Sequence, residues 1–143
     1  MRGMARRFRK GEQGQALVEF ALVLPLLLLM VLGVIDFGRA WNLHQVLTDA
    51  AREGARKAVI FDPATTKDTV LAVVGAVIAS GSYNPAKATV SFPDGFKGGR
   101  GNVTTVRISM NYRFGFLAPF IKLVKADGTN TMTLTTQASM RNE

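Results

Sequence analysis

The stretch GQALVEFALVLPLLLLMVLGVIDFGRAW, residues 14–41, decides how the rest of the chain is read. Between Ala16 and Ile35 its only ionisable side chain is Glu19. A helix of about 20 residues rises about 30 Å, the thickness of a bilayer's hydrocarbon core. The chain has 143 residues, enough for one modest domain beside such a helix but too few to surround it with protein. The stretch is therefore expected to cross a membrane rather than to sit in a soluble core. A carboxylate in its first turns is costly there, and Glu19 needs a reason.

The flanks orient the span. Arg2, Arg6, Arg7, Arg9 and Lys10 precede it and supply much of the net charge of +8. In the 20 or so residues after it, only Arg39 and Arg52 are basic. The positive-inside rule then puts the N-terminus in the cytoplasm and the remainder outside, in the periplasm or beyond. A basic cluster next to an apolar span reads as a cytoplasmic flank more simply than as a nucleic-acid patch. The chain has no cysteine, so it has no disulfide framework and no thiolate metal site.

Beyond the span the pattern becomes amphipathic. Leu43, Val46, Leu47, Ala50, Ala51, Gly54, Ala55 and Ala58 fall on one helical face, with Gln45, Asp49, Arg52, Glu53 and Arg56 opposite. The stripe is rich in Ala and Gly, so its partner must approach closely. Glu53 and Lys57 stand at the favourable i, i+4 spacing. Asp62-Pro63 is a stop signal. Thr65 with Asp68 resembles a capping box opening a second helix, about Thr66 to Ala79, that Gly81 ends. Its apolar run is too short to span a bilayer and is expected to pack on a sheet.

The remainder alternates. Ala88, Val90 and Phe92 form one apolar set. Val106, Ile108, Met110, Tyr112, Phe114 and Phe116 form a long second set, and Met132, Leu134, Ala138 and Met140 a looser third. Period-two alternation means strands with one apolar and one wet face. The expected class is α+β: a long N-terminal transmembrane and amphipathic helix, a second helix, and a small antiparallel sheet of about three strands. The organisation is a basic cytoplasmic leader (1–14), a transmembrane helix (15–36), an amphipathic extension (37–61) and an exported α+β domain (62–143). Lys97 to Asn102 is a glycine-rich connection. Leu117 to Val124 is apolar for a loop, and either covers the sheet end or touches a partner or the membrane surface.

A basic start and an apolar run also suggest a secretory signal, but this run is too long and no small-x-small site closes it. The distinctive residues lie at its start: Gly14, then Gln15-Ala16-Leu17-Val18, then Glu19-Phe20. This arrangement resembles the processing motif of Flp/Tad-branch prepilins. With the following Asp36-Phe37-Gly38-Arg39 and AAREGARKAV, residues 11–60 resemble the N-terminal region of TadE-like pilus assembly proteins, minor pseudopilins of tight-adherence pili. The fold so implied is pilin-like. The resemblance implies cleavage by a membrane prepilin peptidase between Gly14 and Gln15. Glu19 would then meet the free amine of a neighbouring subunit. The partners implied are lipid, that peptidase, and other pilin and pseudopilin subunits.

Several other signals carry less. Pro25 removes one helix hydrogen bond within the span and either kinks the helix or is simply tolerated. Asp36 and Arg39 are expected to pair at the outer membrane interface, with Trp41 as an aromatic anchor. His44 is the only histidine, so a metal site is not expected. No catalytic triad or acid pair is apparent, no cofactor is implied, and an enzyme is not expected. Two alternatives remain: an uncleaved single-pass envelope protein that binds a partner through its outer domain, and an envelope-associated nucleic-acid binder using Arg107 and Arg113. The second is weaker, and no nucleic-acid partner is expected.

Overall fold

A computed structural model describes residues 5–60, 64–96, 101–124 and 129–142. The stop signal at Asp62-Pro63 and most of the connection from Lys97 to Asn102 lie outside them. One helix dominates: α1, Ala5–Val59, 55 residues. Two shorter helices follow, α2 (Lys67–Ser80) and α3 (Ala118–Val124), with three strands, β1 (Ala88–Ser91), β2 (Val103–Arg113) and β3 (Thr131–Arg141). The strands form one antiparallel sheet in the order β1-β2-β3. This is the expected α+β architecture.

Two halves of α1 have opposite surroundings. From Leu17 to Ile35 no residue is buried among the described residues, and apolar side chains are widely exposed; Leu22 is 74% exposed and Val34 73%. A helix that is apolar all round needs an apolar surrounding, and this one is long and apolar enough to cross a membrane. The helix continues through Pro25, whose missing N–H leaves the carbonyl one turn back without its usual partner. α1 runs unbroken from Ala5 through Gly14 into this half.

The second half of α1 carries the head. Leu43, Leu47, Ala50, Ala51, Ala55 and Ala58 are buried against Val70, Val74 and Ile78 of α2 and Val106, Ile108 and Met110 of β2. The close approach expected of an Ala/Gly stripe is present. A side chain at Gly54 would put its Cβ 2.6 Å from Val74 Cγ2, and one at Gly81, just past α2, would meet Val46 Cγ2 at 2.7 Å. Both distances lie inside van der Waals contact, so α1 and α2 reach this spacing only with glycine at these points.

Caps and ion pairs differ by small steps from the sequence reading. The capping box of α2 is Thr66 with Thr69, one residue later than Thr65 and Asp68. Thr65 is buried instead, and its hydroxyl has no partner among the described residues. Glu53 pairs with Arg56 at 2.9 Å rather than with Lys57, and Arg52 with Asp49 at 3.5 Å.

The strand pairing sets which end of the head faces which way. β2 pairs with β3 from Val103↔Arg141 to Arg113↔Thr131. Val106 lies near Gly54 of α1, and Tyr112 reaches Asp36, so β2 runs antiparallel to α1. Thr48 and Thr136 hydroxyls meet at 3.2 Å, tying β3 to the same helix. The described part of the connection from β2 to β3 therefore lies at the Asp36 end, where the bare half of α1 ends.

Candidate functional site

Two places on α1 concentrate polar chemistry in apolar surroundings. The first is the start of the exposed half. Gln15 and Glu19 share a helix face at i, i+4, and the Gln15 side-chain amide donates to Glu19 Oε1 at 2.9 Å. Gly14 precedes them with open space where a Cβ would stand and without a left-handed φ. Nothing in the fold therefore requires glycine at 14, unlike Gly54 and Gly81. Phe20 is exposed beside Glu19. The structure thus places Gly14, Gln15, Glu19 and Phe20 together on an uncovered helical segment.

The second place is the junction between the bare half and the head, and it is organised by Asp36. Asp36 is fully buried. Its carboxylate accepts the backbone N–H of Phe116 at 2.9 Å and of Leu117 at 2.8 Å, with a longer bond from Gly115 at 3.4 Å. Its backbone carbonyl accepts the Tyr112 hydroxyl at 3.1 Å. A buried carboxylate is tolerable only when so satisfied, and bonds from N–H groups to an ionised oxygen are the stronger kind.

This geometry corrects two sequence readings. Asp36 was expected to pair with Arg39 at the i, i+3 spacing; its oxygens are instead taken up by the 115–117 backbone. Arg39 lies over the Phe116 ring, its guanidinium carbon 5.1 Å from the centroid, a cation–π contact. The apolar alternation that suggested strand as far as Phe116 stops in the ladder at Arg113. Phe114 still donates its N–H to Asn130, but the next three residues turn away to meet Asp36. Asp36 in a helix and Gly115 to Leu117 in a strand-like run carry no mutual signal at a separation of about 80 residues; only a charged residue closing an apolar run hints at the contact.

Aromatic residues ring this junction. Phe37 and Trp41 stack at 6.3 Å, and Trp41 neighbours His44 at 6.2 Å. Tyr112 and Phe114 meet edge to face at 5.2 Å. Tyr83 donates to Asn42 Oδ1 at 2.8 Å. Burial pushes the Tyr112 phenol above its usual pKa; the neighbouring Asp36 charge adds to this and Arg39 opposes it. Burial likewise raises Tyr83, again against Arg39. Of the arginines considered for nucleic acid, both exposed, Arg107 donates to Gln137 at 3.0 Å from Nη2.

Comparison with known proteins gives one result. No curated protein and no solved structure matches the chain significantly. The sequence model of the TadE-like protein family does match, over residues 14–56. That interval starts at Gly14, includes the bare apolar half with Glu19, passes Asp36 and ends in the Ala-rich packing face; α2 and the sheet lie outside it. The match likens this helix to TadE-like proteins, and one long apolar helix suits a single-pass membrane anchor. Residues 14–56 of α1 are thus similar in sequence to the TadE-like family, which the GQALVEF stretch also resembles.

Proposed function

We propose that the protein is a minor pseudopilin of a Flp/Tad-type adhesive pilus, cleaved after Gly14 and assembled through the N-terminal half of α1. The observation that carries this reading is Glu19 on a helix that is apolar all round and covered by nothing. A carboxylate at that depth costs up to about 3 kcal/mol near a bilayer's centre and less toward its edge. In the single chain its partner is the neutral amide of Gln15. A new α-amine at Gln15 of a neighbouring subunit would offer a full positive charge in the same low-dielectric layer, which would offset the cost and set the register between helices.

Gly14 supports the cleavage step. Proteases bind substrates in extended form, and the bond after Gly14 lies within α1, so a few residues must unwind. Glycine at 11 and 14 lowers the cost, each being about 1 kcal/mol less helix-favouring than alanine. Gly33 and Gly38 are equally open, and in a bundle of such helices they would allow close backbone approach.

The N-terminal residue matters chemically. Cyclisation of a free Gln15 would join its α-amine to its side-chain carbonyl and release the amide nitrogen as ammonia. Both the positive charge and the donor to Glu19 would be lost. On this reading the free amine is the assembling form, and the role is structural, without catalysis or cofactor.

The test is the intact mass and N-terminal sequence of membrane-extracted protein, made with and without an active prepilin peptidase. A terminus at Gln15 that depends on the peptidase is expected. A terminus at Met1 under both conditions would overturn the pseudopilin reading in favour of an uncleaved anchored protein.

A further inference from the structure

We propose that the β2–β3 connection is a membrane-surface contact, with Phe116 and Phe120 seated in the outer headgroup layer so that the head rests on the bilayer rather than standing clear of it. The inference rests on reading the bare half of α1 as the membrane span, and it concerns a part of the chain that span does not include.

Position is the first argument. The apolar run of α1 ends at Ile35, and the next residue, Asp36, holds the backbone of Gly115, Phe116 and Leu117. These bonds fix the start of the connection at the level where the helix leaves hydrocarbon. The register of β2 with β3 puts both ends of the connection at that end of the sheet, joined by the Phe114 N–H to Asn130 bond.

Surface chemistry is the second. Phe116 and Phe120 are each 43% exposed. On α1, Phe37 and Trp41 also stand exposed just past the apolar run. Aromatic residues at this depth are the usual interfacial anchors.

Charge is the third. Arg39, over Phe116, and the exposed Lys122 and Arg113 flank the aromatics. Among the described residues 101–124 and 129–142 there is no acidic side chain. Among the described residues, the carboxylate at this junction, Asp36, is buried and occupied. Cationic heads on stems beside aromatic rings suit lipid phosphates over an acyl boundary.

Absence of cysteine makes the test direct. Single variants Phe120→Cys, Asp94→Cys and Leu27→Cys of the full chain would carry an environment-sensitive fluorophore in phosphatidylcholine–phosphatidylglycerol vesicles. Quenching would be read from aqueous iodide and from lipids brominated at shallow or deep acyl positions. Asp94 lies in the turn after β1, at the far end of the head; Leu27 lies within the span. The label at 120 is expected to emit to the blue of that at 94, to resist iodide, and to be quenched more by shallow than by deep bromolipid. A label at 120 that behaves as the one at 94 does overturns the proposal, and so does one shielded from both iodide and bromolipid, which would indicate a protein cover. Deep bromolipid quenching at Leu27 in those cases leaves the anchor reading standing; its absence removes the anchor reading and this proposal together. A second variant, Ile121→Cys, repeats the reading with both phenylalanines intact.

Discussion

The carboxylate of Asp36 accepts the backbone N–H of Leu117 at 2.8 Å, joining the last turn of the apolar helix to the chain that leaves β2. With the bonds to Phe116 and Gly115 and the Tyr112 hydroxyl on its carbonyl, this residue fastens the head to the helix where the helix leaves the membrane-spanning half. The head is thereby held at both ends of α1's second half: by Asp36 below, and by the Gly54 contact with Val74 and Val106 above.

Removing the carboxylate should loosen the lower fastening. Asp36→Ala leaves up to three N–H groups without their acceptor, and is expected to cost about 2–4 kcal/mol. Asp36→Asn keeps one acceptor oxygen and should cost less. Denaturant unfolding of the full chain in detergent, with sheet circular dichroism as the signal, checks both. A loss under about 0.5 kcal/mol for Asp36→Ala would mean that the contact holds nothing.

The upper fastening is steric. Gly54→Val forces a Cβ to within 2.6 Å of Val74 Cγ2, and the β-branched Val74 has little rotamer freedom with which to withdraw. The expected loss is about 1–3 kcal/mol. A paired Gly54→Val/Val74→Ala variant should recover part of it. The same unfolding experiment applies, and non-additivity is the diagnostic.

Alkaline pH should weaken the head through its two half-buried phenols. Tyr83 and Tyr112 are raised above their usual value, chiefly by burial. A raised folded pKa means that the fold favours the protonated phenol. Its contribution is complete below the unfolded value, near pH 10, and is lost as pH climbs through the folded value. Deprotonation also removes the donors to Asn42 and to the Asp36 carbonyl. Stability measured between about pH 8 and 11 should fall less steeply in a Tyr83→Phe/Tyr112→Phe variant.

If the pseudopilin reading holds, Glu19 and Gly14 separate two steps. Gly14→Val should leave the precursor uncut. Glu19→Ala should still be cut, while incorporation into or support of the pilus falls on the order of tenfold, which corresponds to about 1.4 kcal/mol in subunit association. Anti-pilus immunoblots of sheared fractions together with N-terminal sequencing check both outcomes. Equal piliation by Glu19→Ala and wild type would remove the charge-pairing role.

Much of the architecture is legible in the order of residues. The span from Ala16 to Ile35, the packing stripe from Leu43 to Ala58, the second helix and the three alternating runs are local signals, each set by a period of 3.6 or 2 within one segment. Residues 14–20 could be singled out because Gly14, Glu19 and Phe20 lie within one short interval of the chain. The misplacements are also local. The cap fell on Thr66 rather than Thr65, since neighbouring threonines offer the same hydroxyl, and Glu53 chose Arg56 over Lys57, since both lie within reach on one helix face.

Tertiary structure alone decided what happens at Asp36. By sequence it is the polar residue that ends an apolar run, with Arg39 as its nearest opposite charge. In the fold, antiparallel pairing of β2 with α1 brings the backbone of Gly115 to Leu117 to it from about 80 residues away, and three oriented N–H groups in a buried place satisfy a carboxylate more completely than one solvated guanidinium. Periodicity reports which face of an element is apolar. It does not report which distant backbone will arrive to satisfy a buried charge, because that depends on how the helices and sheet are stacked, and on Gly54 and Gly81 letting them stack so closely.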